Sequence, residues 1–328
     1  MKVTPVKDFG NLGVSITDIK YPFIQSEIAE VSRLCKEELV VVFSKINYTV
    51  SQFYELSNQL GVVSTHGQIR GVPTNHKTGY LDENNSPLYP GLDKVTGQRD
   101  YKGKHTGLAG GFTTRFNWHC AEAQREKIND VERPLPEVVG LHGVKGTEGS
   151  ITQICQMVNR YEEETEIKKQ ELKNTIMQWA FVDGDEAVLN VDKEYLNDDH
   201  GAGEETEWMD KKQSLVRKNI SGRDGLHFSP SQITGIVNNT DEKFKQLKEY
   251  VMTEYVQEKY IYDHVWQDGD IIYFDQEVSI HRRVGTNRDV NELTIDQLEK
   301  RLLHRIEIHI DKAKFLQWKM SNKFKKGR

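Results

Sequence analysis

What limits this chain most is the order of its strand-like segments. Short runs rich in β-branched and aromatic residues lie at 137–144, 178–182, 226–228, 260–266, 270–274 and 303–310. A doubly wound parallel sheet would place a crossover helix after each strand. Here the helical segments come irregularly, at about 154–175 and 241–255, both strongly charged. The pattern predicts an α+β, mainly β chain, with a sandwich or barrel-like core and flanking helices.

The first sixty residues read as an α/β preamble to that core. Ser26 is placed to cap a helix running to Cys35, in which Ile28, Val31 and Leu34 recur at helical spacing. The run Leu39-Val40-Val41-Val42-Phe43 then reads as a buried strand. Thr49 precedes a second helix carrying Phe53, Leu56 and Leu60, with Gly61 as its stop. From 67 to 116 Gly, Asn, Asp, Pro and Lys dominate and helical periodicity disappears, which predicts a lid over an active site. Residues 183–218 are strongly charged and read as an excursion from the sheet. No internal repeat divides the chain, so residues 1–328 are read as one domain.

Composition narrows the class without naming a function. A net charge of −6 argues against a general nucleic-acid binder, although seven lysines and arginines crowd 312–328, a basic tail read as solvated and partly frayed. Cys35, Cys120 and Cys155 are too widely spaced for a disulfide framework or a structural zinc site. The opening MKVTPVKDFG lacks a secretory apolar core, and no apolar run reaches the roughly 18 residues that span a bilayer. The expectation is a cytoplasmic protein without a membrane partner. Whether it forms a homo-oligomer is left open.

Among eleven histidines, two stand in unusual surroundings. His119 follows Phe116-Asn117-Trp118 at the end of the glycine-rich stretch. His281 closes the run Gly269–Ile280, which reads as a strand delivering an imidazole at its end. Together with neighbouring motifs these residues resemble the TauD/TfdA-like family of Fe(II)/2-oxoglutarate-dependent dioxygenases. Asn117-Trp118-His119 resembles the segment with the first metal histidine, and Gly149-Ser150-Ile151-Thr152 the turn whose threonine helps hold 2-oxoglutarate. The run into His281 resembles the approach to the second metal histidine, and Arg301-Leu302-Leu303-His304-Arg305 the strand whose first arginine pairs with the distal carboxylate. The four fall in family order and span most of the chain.

The resemblance implies a double-stranded β-helix (jelly-roll) core, with Fe(II), 2-oxoglutarate and O2 as cofactors and oxidation of a small molecule as the activity. His119 and His281 would be metal ligands, Thr152 and Arg301 cosubstrate ligands, and Asn117 and Arg305 substrate-facing residues. Such iron takes two imidazoles and one carboxylate on one face, and a dicarboxylate needs a planar, permanently charged partner. Arg305 matches the arginine that holds the anionic head of taurine in taurine-specific relatives, which implies an anionic substrate; a structural ion pair is the alternative. Arg301 lies 20 residues beyond His281, farther than is usual in the family, with residues 289–300 as the apparent insertion.

The main departure is at the third ligand. The family's H-x-D reads His119-Cys120-Ala121 here, and alanine cannot coordinate a metal. Three accounts stay open. Chloride could fill the vacated position, as in related radical halogenases. Glu122 or water could serve as the third ligand of a hydroxylase. Or the chain could be a degenerate, non-catalytic member of the family.

Overall fold

The computed structural model describes residues 1–6, 9, 11–65, 79–84, 86–103, 105–107, 116–120, 127–128, 131–132, 134–179, 211–230, 232–285 and 292–323. Two sheets form its centre. The larger contains β1 (Lys2–Pro5), β2 (Gly13–Thr17), β3 (Val40–Phe43), β4 (Val62–Val63), β5 (Leu92–Thr96), β9 (Val138–Lys145), β17 (Ile271–Asp275) and β19 (Leu302–His309). Their order is β1-β2-β3-β17-β9-β19-β4, with β5 also paired to β19. Only β2 and β3 run parallel within it. The smaller sheet has the order β16-β10-β18-β6, from Ile261–Val265, Ile151–Gln156, Ser279–Val284 and Phe116–His119.

Alternation along these strands builds three cores. Val139, Leu141, Ile272, Phe274 and Leu303 of the larger sheet meet Ile154 of the smaller one, so the two sheets pack face to face as a double-stranded β-helix (jelly-roll) core. The outer face of the larger sheet is covered by α1 (Gln25–Glu37) and α2 (Val50–Leu60), through Val31, Leu34, Phe53 and Leu56. The outer face of the smaller sheet carries Trp118, Cys155 and Ile280. It is covered by α5 (Asp241–Glu254) and by a third sheet of β11 (Ile176–Trp179), β12 (Lys211–Ser214) and β15 (Ile233–Ile236). Among the described residues no helix is long and apolar enough to cross a membrane.

Several local expectations change. Thr49 does cap α2, with Gln52 completing a capping box. Ser26 does not cap α1: the helix already begins at Gln25, and Ile24 precedes it with no side-chain cap. The predicted helix at 154–175 is a strand followed by two short helices, α3 (Val158–Glu162) and α4 (Glu166–Lys173). Ile154 is drawn into β10 because pairing on both sides satisfies its backbone. The stretch 67–116 is not loop throughout, since β5 lies within it and pairs with β19 from Leu92↔Ile306 to Thr96↔Leu302. The basic tail starts as a helix, α7 (Lys312–Lys323), with Phe315 stacked 4.2 Å from His309 and Lys314 Nζ 3.9 Å from Glu137.

Beneath α2 a polar chain crosses the sheet. Tyr80 Oη lies 2.8 Å from His304 Nε2, and His304 Nδ1 lies 3.3 Å from His142 Nδ1, with Phe53 against both imidazoles. Burial pushes His142 down to about 4; it also pushes His304 down to about 3, helped by the proximity of His142 and Lys94. Both rings are therefore neutral in the folded protein, whereas the unfolded chain binds protons below about pH 6.5. Their contribution to stability is full above that value and falls as pH drops towards 4. Urea unfolding between pH 7 and 5 is expected to show stability declining with acidity. The paired substitution His142→Gln/His304→Gln is expected to flatten that decline, and an unchanged slope would assign it to other groups.

Candidate active site

β18 lies between β10 and β6, with His281 opposite His119 on one side and Ile154 on the other. Because side chains alternate on a strand, His281 and Arg283 share the face turned towards the larger sheet, while Ile280 and Arg282 share the opposite face. The imidazole centroids of His119 and His281 are 4.0 Å apart, and Phe274 of the larger sheet packs 4.8 Å from His281. The Nδ1–H of His119 donates to the Asn117 carbonyl at 2.8 Å. A carbonyl can only accept, so the proton is on Nδ1 and Nε2 is the basic atom, the tautomer a metal requires. Burial pushes His119 down to about 4, and it lowers His281 well below its ordinary value, helped by His119 and Arg305. Both rings are thus kept in the neutral, ligating form. Among the described residues no group of three histidine, cysteine or carboxylate side chains could hold a metal. Ala121 and Glu122, on which the third-ligand question turns, lie outside the described residues.

One step along the same face, Thr152 of β10 is paired with Arg283 of β18 and with His264 of β16. The indole N–H of Trp266 donates to Thr152 Oγ1 at 2.8 Å. An indole nitrogen cannot accept, so the threonine hydrogen remains available to an anion. Arg301 enters from the other sheet. It follows α6 (Ile295–Lys300), which Thr294 caps, and leads directly into β19. This helix takes up six of the 19 residues between His281 and Arg301, and the long spacing still delivers the arginine to the inter-sheet space. Arg301 is 4 % exposed, its Nε has no hydrogen-bond partner among the described residues, and its guanidinium feels the charge of Arg283. Burial, then Arg283, lowers its pKa well below the usual arginine range. A buried cation in this condition is suited to a carboxylate ligand.

Arg305 is placed differently. Asp93 of β5 lies 3.6 Å from its guanidinium and Glu307 forms a close ion pair with it. Both carboxylates are buried, so the charge of Arg305 is already balanced within the protein. The ion-pair alternative accounts for this residue, and the inference of an anionic substrate loses its support. Arg282 is excluded from the inter-sheet site: it packs 4.7 Å from the Trp118 ring on the outer face and donates to Gln153. Asn117 contributes a backbone carbonyl to His119.

A family model described as "Taurine catabolism dioxygenase TauD, TfdA family" matches residues 2–306. The chain belongs to this family. Membership implies Fe(II)/2-oxoglutarate-dependent oxygenase activity. Among solved structures, a taurine dioxygenase from Burkholderia xenovorans is similar at a TM-score of 0.63 and 17 % identity, over 94 % of this chain and 88 % of that one. AAD-2, crystallised with Mn(II) and N-oxalylglycine, is similar at a TM-score of 0.62 and 16 % identity, over 94 % and 96 % of the two chains. At such identities the likeness shows the fold. No curated protein matches the sequence.

A buried arginine on the face of His281 that sequence reasoning did not single out is Arg283. Its signal was present: it is two positions beyond His281 on a strand, and so on the same face. The Arg305 cluster yields a direct test. Arg305→Ala is expected to cost roughly 2–4 kcal/mol in urea unfolding, because two buried carboxylates lose their shared cation, discounted for partial exposure of the guanidinium. Pairing it with Glu307→Gln should recover part of the loss. A cost near zero would show that the cluster is not structural.

Proposed function

We propose that this protein carries out Fe(II)/2-oxoglutarate-dependent oxidation of an aliphatic C–H bond in a small molecule. The observation that carries the reading is Arg301, a buried guanidinium whose Nε has no partner among the described residues and which shares the inter-sheet space with a neutral histidine pair. Iron(II), when bound with 2-oxoglutarate and O2, supplies the oxidising power for C–H cleavage. The protein residues bind and orient. His119 and His281 would hold the metal through their ring nitrogens, with the Asn117 carbonyl fixing the first ring. Arg301 and the Thr152 hydroxyl would take the distal carboxylate of the cosubstrate, fixing its distance from the metal. Phe274 beside His281 and the apolar core beyond it would keep water from that side.

A second reading, radical halogenation, rests on one observation: Ala121 stands where the family pattern has its carboxylate. Chloride would then replace one negative charge with another at the metal. The alternative is a hydroxylase with Glu122 or water in that position.

Anaerobic addition of Fe(II) and 2-oxoglutarate is expected to produce a visible charge-transfer band. Arg301→Ala should weaken cosubstrate binding by about 2–4 kcal/mol, the range for a charged hydrogen-bonded contact. No band in the wild-type protein would defeat the enzymatic reading. Chloride separates the two chemistries. Under halogenation added chloride tightens 2-oxoglutarate binding, since linkage is reciprocal, and Ala121→Asp abolishes that effect. If Glu122 is the ligand, chloride has no effect and Glu122→Ala abolishes iron binding.

A further inference from the structure

We propose that His264, backed by Asp270, is a positioning residue that fixes the Trp266 indole and through it the direction of the Thr152 hydroxyl. The inference rests on the reading above, in which Thr152 meets the distal carboxylate of 2-oxoglutarate, and adds the groups that aim this hydroxyl. Its basis is geometric. The Cα partner of Thr152 on β16 is His264, and the His264 ring stands perpendicular to the Trp266 ring, with centroids 4.4 Å apart. Trp266 in turn donates to Thr152 Oγ1 at 2.8 Å. On the imidazole, Nδ1 lies 3.2 Å from the Tyr262 hydroxyl, and Nε2 lies 3.3 Å from Asp270 Oδ2. The approach to Asp270 is electrostatic, without the alignment of a full hydrogen bond. Asp270 is itself held by two backbone donors, the N–H of Lys45 at 2.8 Å and that of Gln267 at 3.0 Å. The second of these closes the turn that follows Trp266, so one carboxylate braces both the imidazole and the backbone carrying the indole.

Apolar side chains of similar volume often serve a core as well as a buried polar pair does. Stability alone therefore does not explain His264 and Asp270, which are 3 % and 4 % exposed. What the pair supplies is direction. Burial opposes ionisation of Asp270, yet the contact with His264 and the two backbone N–H groups hold its carboxyl below the usual range. A carboxylate only accepts, so the ring nitrogen facing it carries the proton. With a polar neighbour at each nitrogen the imidazole keeps one plane, and that plane limits the tilt of the indole packed against it. An indole that tilts carries its N–H away from Thr152 Oγ1, and the hydroxyl is then free to rotate away from the anion.

The test is a double-substitution cycle, read by anaerobic titration calorimetry of 2-oxoglutarate into the full-length, Mn(II)-loaded protein. His264→Leu is expected to weaken 2-oxoglutarate about three- to tenfold, the worth of one misdirected hydrogen bond. In a Thr152→Val background there is no hydroxyl to aim, and the same substitution should change affinity by less than about twofold. A role confined to packing would give equal losses in the two backgrounds, and that result overturns the assignment. Wild-type affinity in either the His264→Leu or the Thr152→Val protein overturns it as well. His264→Gln keeps an N–H donor for Asp270 and should recover part of the loss. Asp270→Asn keeps the shape of the carboxyl and removes its charge. Carried through the same cycle, it should show a smaller coupling of the same sign, and it decides the matter if His264→Leu does not fold. Failure of the wild-type protein to bind 2-oxoglutarate at all removes the functional reading, and this one with it.

Discussion

Because successive side chains on a strand point to opposite faces, the pairing of β18 between β10 and β6 decides which residues of Ser-Ile-His-Arg-Arg-Val enter the molecule. In the register observed, His281 and Arg283 face the larger sheet while Ile280 and Arg282 face outward. A slip of one residue would bury Arg282 between the sheets and send the imidazole out beside Trp118. Both neighbours resist such a slip. β10 holds six residue pairs with β18, from Ile151↔Val284 to Gln156↔Ser279, and Ile280 is locked among Cys120, Cys155 and Tyr255. The histidine pair, the threonine and the buried arginine therefore follow from one register.

Cations between two sheets are costly, and the protein meets the cost in two ways. Arg305 is matched by Asp93 and Glu307, which come from its own sheet. Arg301 pairs with no carboxylate among the described residues, and its Nε is left without a partner there. Four residues apart on the same segment, the two arginines differ in whether their charge is balanced internally. A balanced arginine holds structure in place. An unbalanced, buried one retains binding energy that only an anion can release. This contrast separates the two roles more sharply than their shared motif does.

The jelly-roll core was legible because alternation and β-branched composition are local signals, and 261–265, 271–275 and 302–309 emerge as strands close to where they read. The histidine pair was legible through its motifs. What escaped depended on pairing at long range. Ile154 lies in a charged, helix-like stretch, yet strands more than a hundred residues away claim it. Leu92–Thr96 sits in a loop-like composition, but it is the edge that supplies Asp93 to Arg305. That Arg283 shares the face of His281 was legible by counting two along the strand. Balance at Arg305 was half legible: Glu307 follows it by two on the same strand, but Asp93 becomes its neighbour only when β5 and β19 pair.

The placing of Trp266 against Thr152 also depends on a residue with no side chain. Gly143 of β9 faces the inter-sheet space, and a Cβ there would come within 2.8 Å of the Trp266 ring and 3.1 Å of the Thr147 hydroxyl. Its absence lets the indole lie against the larger sheet while its N–H reaches Thr152 on the smaller one. A second support comes from the turn before β17, where Asp268 accepts from Thr147 and from the backbone N–H groups of Gly146 and Thr147. The hydroxyl that would meet the anion is therefore oriented from across the core. Any side chain at position 143 would push Trp266 towards Thr152 or away from it, and the hydroxyl would lose its direction before the fold lost its sheets.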